Sequence, residues 1–124
     1  MIRVLDIEKS KQFYNDVFDF KESHQLDFPD FKLVYLRNKY NESEIELTVN
    51  KSRDQAYTHG DGYGHIAFCV DNLDFMHKKV TDLKYQPNDI VEFVHNDELI
   101  ARFFFVTDPD GYSIEVLQRH GHYQ

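Results

Sequence analysis

Three side chains able to bind a divalent cation or move a proton stand in comparable places along this 124-residue chain: Glu46, His65 and Glu115. Glu46 lies one residue into the apolar run Ile45-Glu46-Leu47, and Glu115 one residue into Ile114-Glu115-Val116. Successive side chains of a strand alternate faces, so Ile45, Leu47 and Val49 share one side and Glu46, Thr48 and Asn50 the other. By the same rule Ile114 and Val116 oppose Ser113, Glu115 and Leu117, while His65, Ala67 and Cys69 oppose Ile66, Phe68 and Val70. If the apolar sets pack under helices, Glu46, His65 and Glu115 all project from the face that no helix covers. Curling of that face would gather them into a concave pocket. An imidazole with carboxylates is a borderline-hard ligand set, suited to Ni, Co, Zn, Fe or Mn. Solvent-facing Glu and His on a sheet are ordinary, and the symmetric placement of the two glutamates is what sets these apart.

The elements that must position them can be read along the chain. Ile2 to Leu5 opens as a short strand, and Asp6 can cap a helix whose apolar stripe is Ile7, Phe13, Tyr14, Val17 and Phe18. Phe31 to Leu36 and Glu44 to Asn50 read as strands around a turn-rich segment. Lys51 to Gly64 is hydrophilic and carries three of the five glycines, which marks a linker. Then the pattern restarts. His65 to Val70 is a strand, Asp71 or Asn72 can cap a helix, and Leu73, Met76, Val80 and Leu83 form its buried stripe. Ile90 to His95 and Leu99 to Thr107 make a hairpin, Asp108-Pro109-Asp110-Gly111 a turn, and Tyr112 to Gln118 a last strand. Arg119 to Gln124 is a polar tail expected to fray. Val4, Asp6 and Ile7 match Val70, Asn72 and Leu73 at an offset of 66, and Glu46 matches Glu115 at 69, as in an internal duplication. The expected organisation is a single domain, 1–124, made of module 1–50, linker 51–64 and module 65–118.

Composition narrows the function. Eleven Phe and eight Tyr can fill a core, and the net charge of −8 argues against a nucleic-acid groove. No apolar run approaches the roughly 20 residues of a membrane span. Met1 runs directly into Ile2-Arg3-Val4 without a leader pattern, and the lone Cys69 cannot build a disulfide framework. The expectation is a cytoplasmic protein with a small-molecule substrate and neither nucleic-acid nor membrane partners.

Four segments together resemble a known family. Met1-Ile-Arg-Val-Leu-Asp-Ile-Glu-Lys-Ser-Lys-Gln-Phe-Tyr14, Ile45-Glu-Leu-Thr-Val-Asn50, Tyr63-Gly-His-Ile-Ala67 and Asp108-Pro-Asp-Gly-Tyr-Ser-Ile-Glu115 are similar to the glyoxalase I (lactoylglutathione lyase) family of the vicinal oxygen chelate superfamily. The resemblance implies an α+β fold of paired βαβββ modules, forming a curved, cleft-forming mixed sheet with helices on the outer face. It implies Glu46, His65 and Glu115 as metal ligands, with Glu115 and Glu46 as the catalytic carboxylates and Glu115 the proton-abstracting base. Arg3 and Asn50 match positions that hold the γ-glutamyl end of glutathione, the co-substrate. The compact length resembles the bacterial form activated by Ni or Co, with Zn the other possibility. A homodimer is implied, with Glu46 from one subunit and His65 and Glu115 from the other. The implied reaction isomerises the hemithioacetal of methylglyoxal and glutathione to S-lactoylglutathione.

The chain departs from the family pattern in three places. The remaining ligand, a first-strand His, falls two residues before Met1, where the offset of 66 also puts the counterpart of His65, so the first strand is expected to be clipped. Asp61 stands where some members carry Arg. The basic loop that holds the glycyl carboxylate is replaced by Asn96-Asp-Glu-Leu-Ile-Ala-Arg102. Two other functions compete: another metalloenzyme of the superfamily, such as an extradiol dioxygenase using two His and one Glu, and a metal-free binder resembling bleomycin-resistance proteins. Of the three phenylalanines Phe103, Phe104 and Phe105, each is expected in the core, with alternation allowing one or two on the pocket side.

Overall fold

The computed structural model describes all 124 residues, which divide into two compact units, Met1–His59 and Gly60–Gln124. The first unit contains β1 (Ile2–Arg3), α1 (Ile7–Phe18), β2 (Lys21–Asp27), β3 (Phe31–Arg37) and β4 (Ile45–Asn50). Its four-stranded sheet runs β1-β4-β3-β2, with β1 parallel to β4 and the other pairs antiparallel. The second contains β5 (Ile66–Val70), α2 (Leu73–Asp82), β6 (Val91–His95), β7 (Glu98–Thr107) and β8 (Ser113–Gln118), in the order β5-β8-β7-β6. The fold is α+β, with one helix and one mixed sheet in each unit. No helix is long and apolar enough to cross a membrane.

Local chemistry explains the element boundaries. The Asp6 carboxylate accepts hydrogen bonds from the Glu8 and Lys9 amides, both at 3.1 Å, and so satisfies two free donors at the start of α1. Asn72, not Asp71, caps α2, accepting from the Phe75 amide at 2.9 Å. The β6–β7 hairpin turns on Asn96 and Asp97 at φ 51° and 63°, residues that tolerate the left-handed backbone of a type I′ turn. Asp108 is buried and its Oδ1 accepts from the amides of Asp110 and Tyr112, each at 2.9 Å, which fixes the turn ahead of β8.

Each unit buries its own core. In the first it joins Phe13, Tyr14 and Val17 of α1 to Val34, Leu36 and Leu47 of the sheet; in the second it joins Leu73 and Val80 of α2 to Phe104, Ile114 and Val116. The register reproduces the alignment read from the sequence. Ile2 lies opposite Leu47 in β1–β4, and Phe68 opposite Val116 in β5–β8, which are the same offsets of 66 and 69.

Three local expectations fail. Leu83, expected in the buried stripe of α2, is exposed at the helix C-cap. β2 was not expected: Lys21–Asp27 has no apolar alternation and every residue is exposed, because it is an edge strand held by pairing with β3. The tail is not frayed where it leaves β8. The Arg119 amide donates to the Val70 carbonyl at 2.8 Å, its Nε reaches Asp71 Oδ1 at 2.8 Å, and His120 and Tyr123 form a bridge.

Candidate metal and catalytic site

In the second unit His65 and Glu115 meet. His65 immediately precedes β5, and Glu115 sits on the neighbouring β8 opposite Ala67, so both side chains leave the sheet on the face away from α2. His65 Nε2 lies 3.0 Å from Glu115 Oε2, with the Glu115 side chain only 13% exposed. Tyr63 anchors the approach to His65, its hydroxyl donating to the Ser113 carbonyl at 3.0 Å while its ring meets Tyr112 edge-on. Burial, then the nearby Asp108 charge, pushes the Tyr63 phenol above its ordinary range, which keeps that donor protonated.

Alternation along β7 divides the three phenylalanines. Phe104 is fully buried against His77 on the helix side. Phe105 meets His65 edge-on at 5.3 Å, and Phe103 meets Phe105 at 5.7 Å, so these two wall the His65–Glu115 face instead of filling the core. Arg102, the cation of the 96–102 segment, is engaged on the helix side. It donates twice to Asp74 at 3.2 Å and once to Glu92 at 3.1 Å.

In the first unit Glu46, Thr48 and Asn50 share the face of β4 opposite the core. Arg3 is paired with Thr48 in the parallel β1–β4 ladder and belongs to the same face. Thr48 Oγ1 donates to Glu46 Oε1 at 3.2 Å. Tyr35 lies directly across β3–β4 from Glu46, so its phenol and that carboxylate are cross-strand neighbours. Burial first, and then the Glu46 carboxylate, raises the Tyr35 phenol above its usual range. Asn50 Nδ2 donates to the Tyr57 hydroxyl at 3.0 Å, and the Arg53 guanidinium lies over the Tyr57 ring at 4.7 Å. Sequence reasoning did not single out Tyr35 or Tyr63. The β3–β4 register, which pairs Tyr35 with Glu46, is the signal that finds the first.

The structure thus brings His65 and Glu115 into contact, and no group of three or more His, Cys, Asp or Glu side chains in the chain is placed to hold a metal. The donor chemistry of the pair still suits a divalent ion. Adjacent donors around a six-coordinate ion with bonds of about 2.1 Å stand roughly 3 Å apart, which is the His65–Glu115 separation. Neither residue is tied up by a lysine or arginine.

Residues 1–116 match the Glyoxalase/Bleomycin resistance protein/Dioxygenase superfamily. The chain belongs to the glyoxalase superfamily. Among its glyoxalase relatives, a probable lactoylglutathione lyase of Synechocystis sp. is 37% identical over 95% of this chain and 91% of that protein. The lactoylglutathione lyase of Neisseria meningitidis is 34% identical over 96% of this chain and 87% of its own length. Among solved glyoxalase structures, the trypanothione-dependent glyoxalase I of Leishmania major is similar at TM-score 0.73 and 30% identity, over 95% of this chain and 82% of that one. Glyoxalase I of Zea mays is similar at TM-score 0.75 and 25% identity, over 96% of this chain and 43% of that one.

Proposed function

We propose that this glyoxalase is a metal-dependent lactoylglutathione lyase that isomerises the hemithioacetal of methylglyoxal and glutathione to S-lactoylglutathione. The observation that carries the reading is the His65–Glu115 pair, 3.0 Å apart beside Phe105, in a chain 37% identical to a probable lactoylglutathione lyase. Glu46, His65 and Glu115 would hold the ion, with Ni²⁺ or Co²⁺ favoured over Zn²⁺. When bound it would supply Lewis-acid stabilisation of the negative charge that develops on the substrate oxygens. Glu115 removes the proton from C1 of the hemithioacetal and returns it to C2, so the aldehyde carbon is oxidised, the ketone carbon is reduced, and no outside electron carrier is needed. Phe103 and Phe105 shield the proton in transit from water. Arg3 and Asn50, on the Glu46 face, hold the γ-glutamyl end of the thiol.

The assay is S-lactoylglutathione formation from methylglyoxal and glutathione, after chelation and then after addition of Ni²⁺, Co²⁺ or Zn²⁺. Activity should vanish with the chelator and return with one of the ions. Absence of turnover with all three overturns the proposal. The active form proposed is a homodimer in which Glu46 of one chain works with His65 and Glu115 of the other. At a Ni²⁺ concentration too low to load the Glu46→Gln site, mixing Glu46→Gln and Glu115→Gln chains should then restore about a quarter of wild-type activity, since half of the dimers become mixed and each mixed dimer has one intact site. No restoration would make the site intrachain. Cys69 is unpaired, in keeping with the reducing cytoplasm in which we place the enzyme.

A further inference from the structure

The two glutamates occupy equivalent register positions, yet what lies across the ladder from each differs. Glu46 faces Tyr35 and Glu115 faces Phe105. Two residues along each strand, Thr48 in the first sheet is matched by Leu117 in the second. Glu46 therefore has the Thr48 hydroxyl bonded to it and the Tyr35 phenol across the ladder, whereas Glu115 faces a phenyl ring and shares its face with a buried leucine, with His65 as its polar contact. Behind Tyr35, His24 is its ladder partner in β2 and stacks on the phenol ring, with centroids 5.9 Å apart and planes 28° from parallel. That stack holds the Tyr35 ring on the Glu46 side of the ladder.

We infer that Tyr35, supported by Thr48 and by His24 behind it, is a positioning residue that holds the Glu46 carboxylate in one orientation toward the bound ion. The inference rests on the metal-dependent reading above. A carboxylate offers about four lone-pair directions, so the Thr48 bond and the proposed Tyr35 bond together fix its plane and still leave acceptor sites for a cation. Outer partners of this kind orient a ligand and raise its affinity by about 10–100-fold. The division of labour follows. Glu46 stays in place as a ligand, and Glu115, with His65 but no hydroxyl on it, is the carboxylate that moves between ion and proton.

The decisive variant is Tyr35→Phe, which removes one oxygen and keeps the ring stacked on His24. Calorimetric titration of the whole chain with Ni²⁺ should show about tenfold weaker binding than wild type. The visible absorption of the Co²⁺-loaded protein should shift, while kcat at saturating Ni²⁺ changes less than the affinity does. Thr48→Val should weaken Ni²⁺ binding in the same direction. Tyr35→Phe affinity within twofold of wild type, with an unchanged Co²⁺ spectrum, overturns the inference. A second measurement needs no metal. In a urea-unfolding cycle the effect of Tyr35→Phe should disappear in a Glu46→Ala background, and an undiminished effect overturns the contact itself. A wild-type chain that takes up no Ni²⁺ would sink the metal-dependent reading, and the cycle would still decide whether Tyr35 acts on Glu46.

Discussion

The sheet of the first unit sets its glutamate beside Thr48 and across from a phenol, and the sheet of the second sets its glutamate beside a leucine and across from a phenyl ring, with His65 as its polar contact. The backbones do not explain the contrast, because both sheets run in the same order and place Glu46 and Glu115 at matching rungs. Only side chains differ: Tyr35 and Thr48 on one side, Phe105 and Leu117 on the other. A duplicated ladder can thus give two copies of one acid different jobs without any change of topology. Pairs of titratable groups set in unlike environments are a recurrent way to separate such roles.

The strongest way to break that comparison is to neutralise each glutamate in turn. Glu115→Gln is isosteric and leaves Ile114 and Val116 in the core, so the fold should survive while kcat falls by about 10²–10⁴. Glu46→Gln should act more on Ni²⁺ affinity than on kcat at saturating metal. Steady-state rates at several Ni²⁺ concentrations separate the two, and equal losses of kcat would remove the proposed distinction.

A smaller effect is expected from transplanting a hydroxyl across the duplication. Phe105→Tyr places a phenol opposite Glu115, as Tyr35 stands opposite Glu46. A hydrogen bond to a charged group is worth about 1.5–3 kcal/mol, so holding the moving carboxylate should lower kcat roughly tenfold or more. Ni²⁺ affinity should be kept. An unchanged kcat would mean that Glu115 need not move, or that the new hydroxyl does not reach it.

The sequence made much of this legible, for identifiable reasons. Alternation in Ile45-Glu46-Leu47 and Ile114-Glu115-Val116 settled which face each carboxylate takes, because the apolar neighbours have one core to enter. Asp6 and the Asp108 turn were readable because capping chemistry is local. β2 was not, since an edge strand such as Lys21–Asp27 needs no apolar face of its own. Tyr35 was hidden for a different reason. Its role depends on which residue lies across a ladder whose register follows an irregular turn, from Asn38 to Glu44, and no count along one strand supplies that. Alternation already allowed one or two of Phe103, Phe104 and Phe105 on the pocket side, and the structure puts Phe104 in the core and Phe105 against His65.

The helix caps offer a test on stability. Asp6 receives two amide bonds and Asn72 one, so Asp6→Ala should cost more than Asn72→Ala, each on the order of 1 kcal/mol. Urea unfolding followed by circular dichroism gives both values, and the reverse order would show that α2 leans on its cap more than α1 does.

The smallest effect concerns surface ion pairs, one in each unit. A hydrogen bond from Arg37 holds the Glu44 carboxyl below the ordinary glutamate value of 4.5, and one from Arg102 holds Asp74 below the ordinary aspartate value of 3.8. A carboxyl whose folded pKa is depressed contributes stability that is fully present above its unfolded pKa and is lost as pH falls through the folded one. The pairs should therefore matter at pH 6 and fade below about pH 4. Exposed pairs are screened, so the shift in urea midpoint should be small and should shrink in high salt. Arg102 also holds Glu92, whereas the Arg37 ion pair is with Glu44 alone, so Arg102→Gln should lower the midpoint more than Arg37→Gln does. Midpoints measured at pH 6 and at pH 3 for wild type and both variants decide the point. A deficit of either variant that is as large at pH 3 as at pH 6 would assign its effect to lost packing of the arginine stem instead of charge.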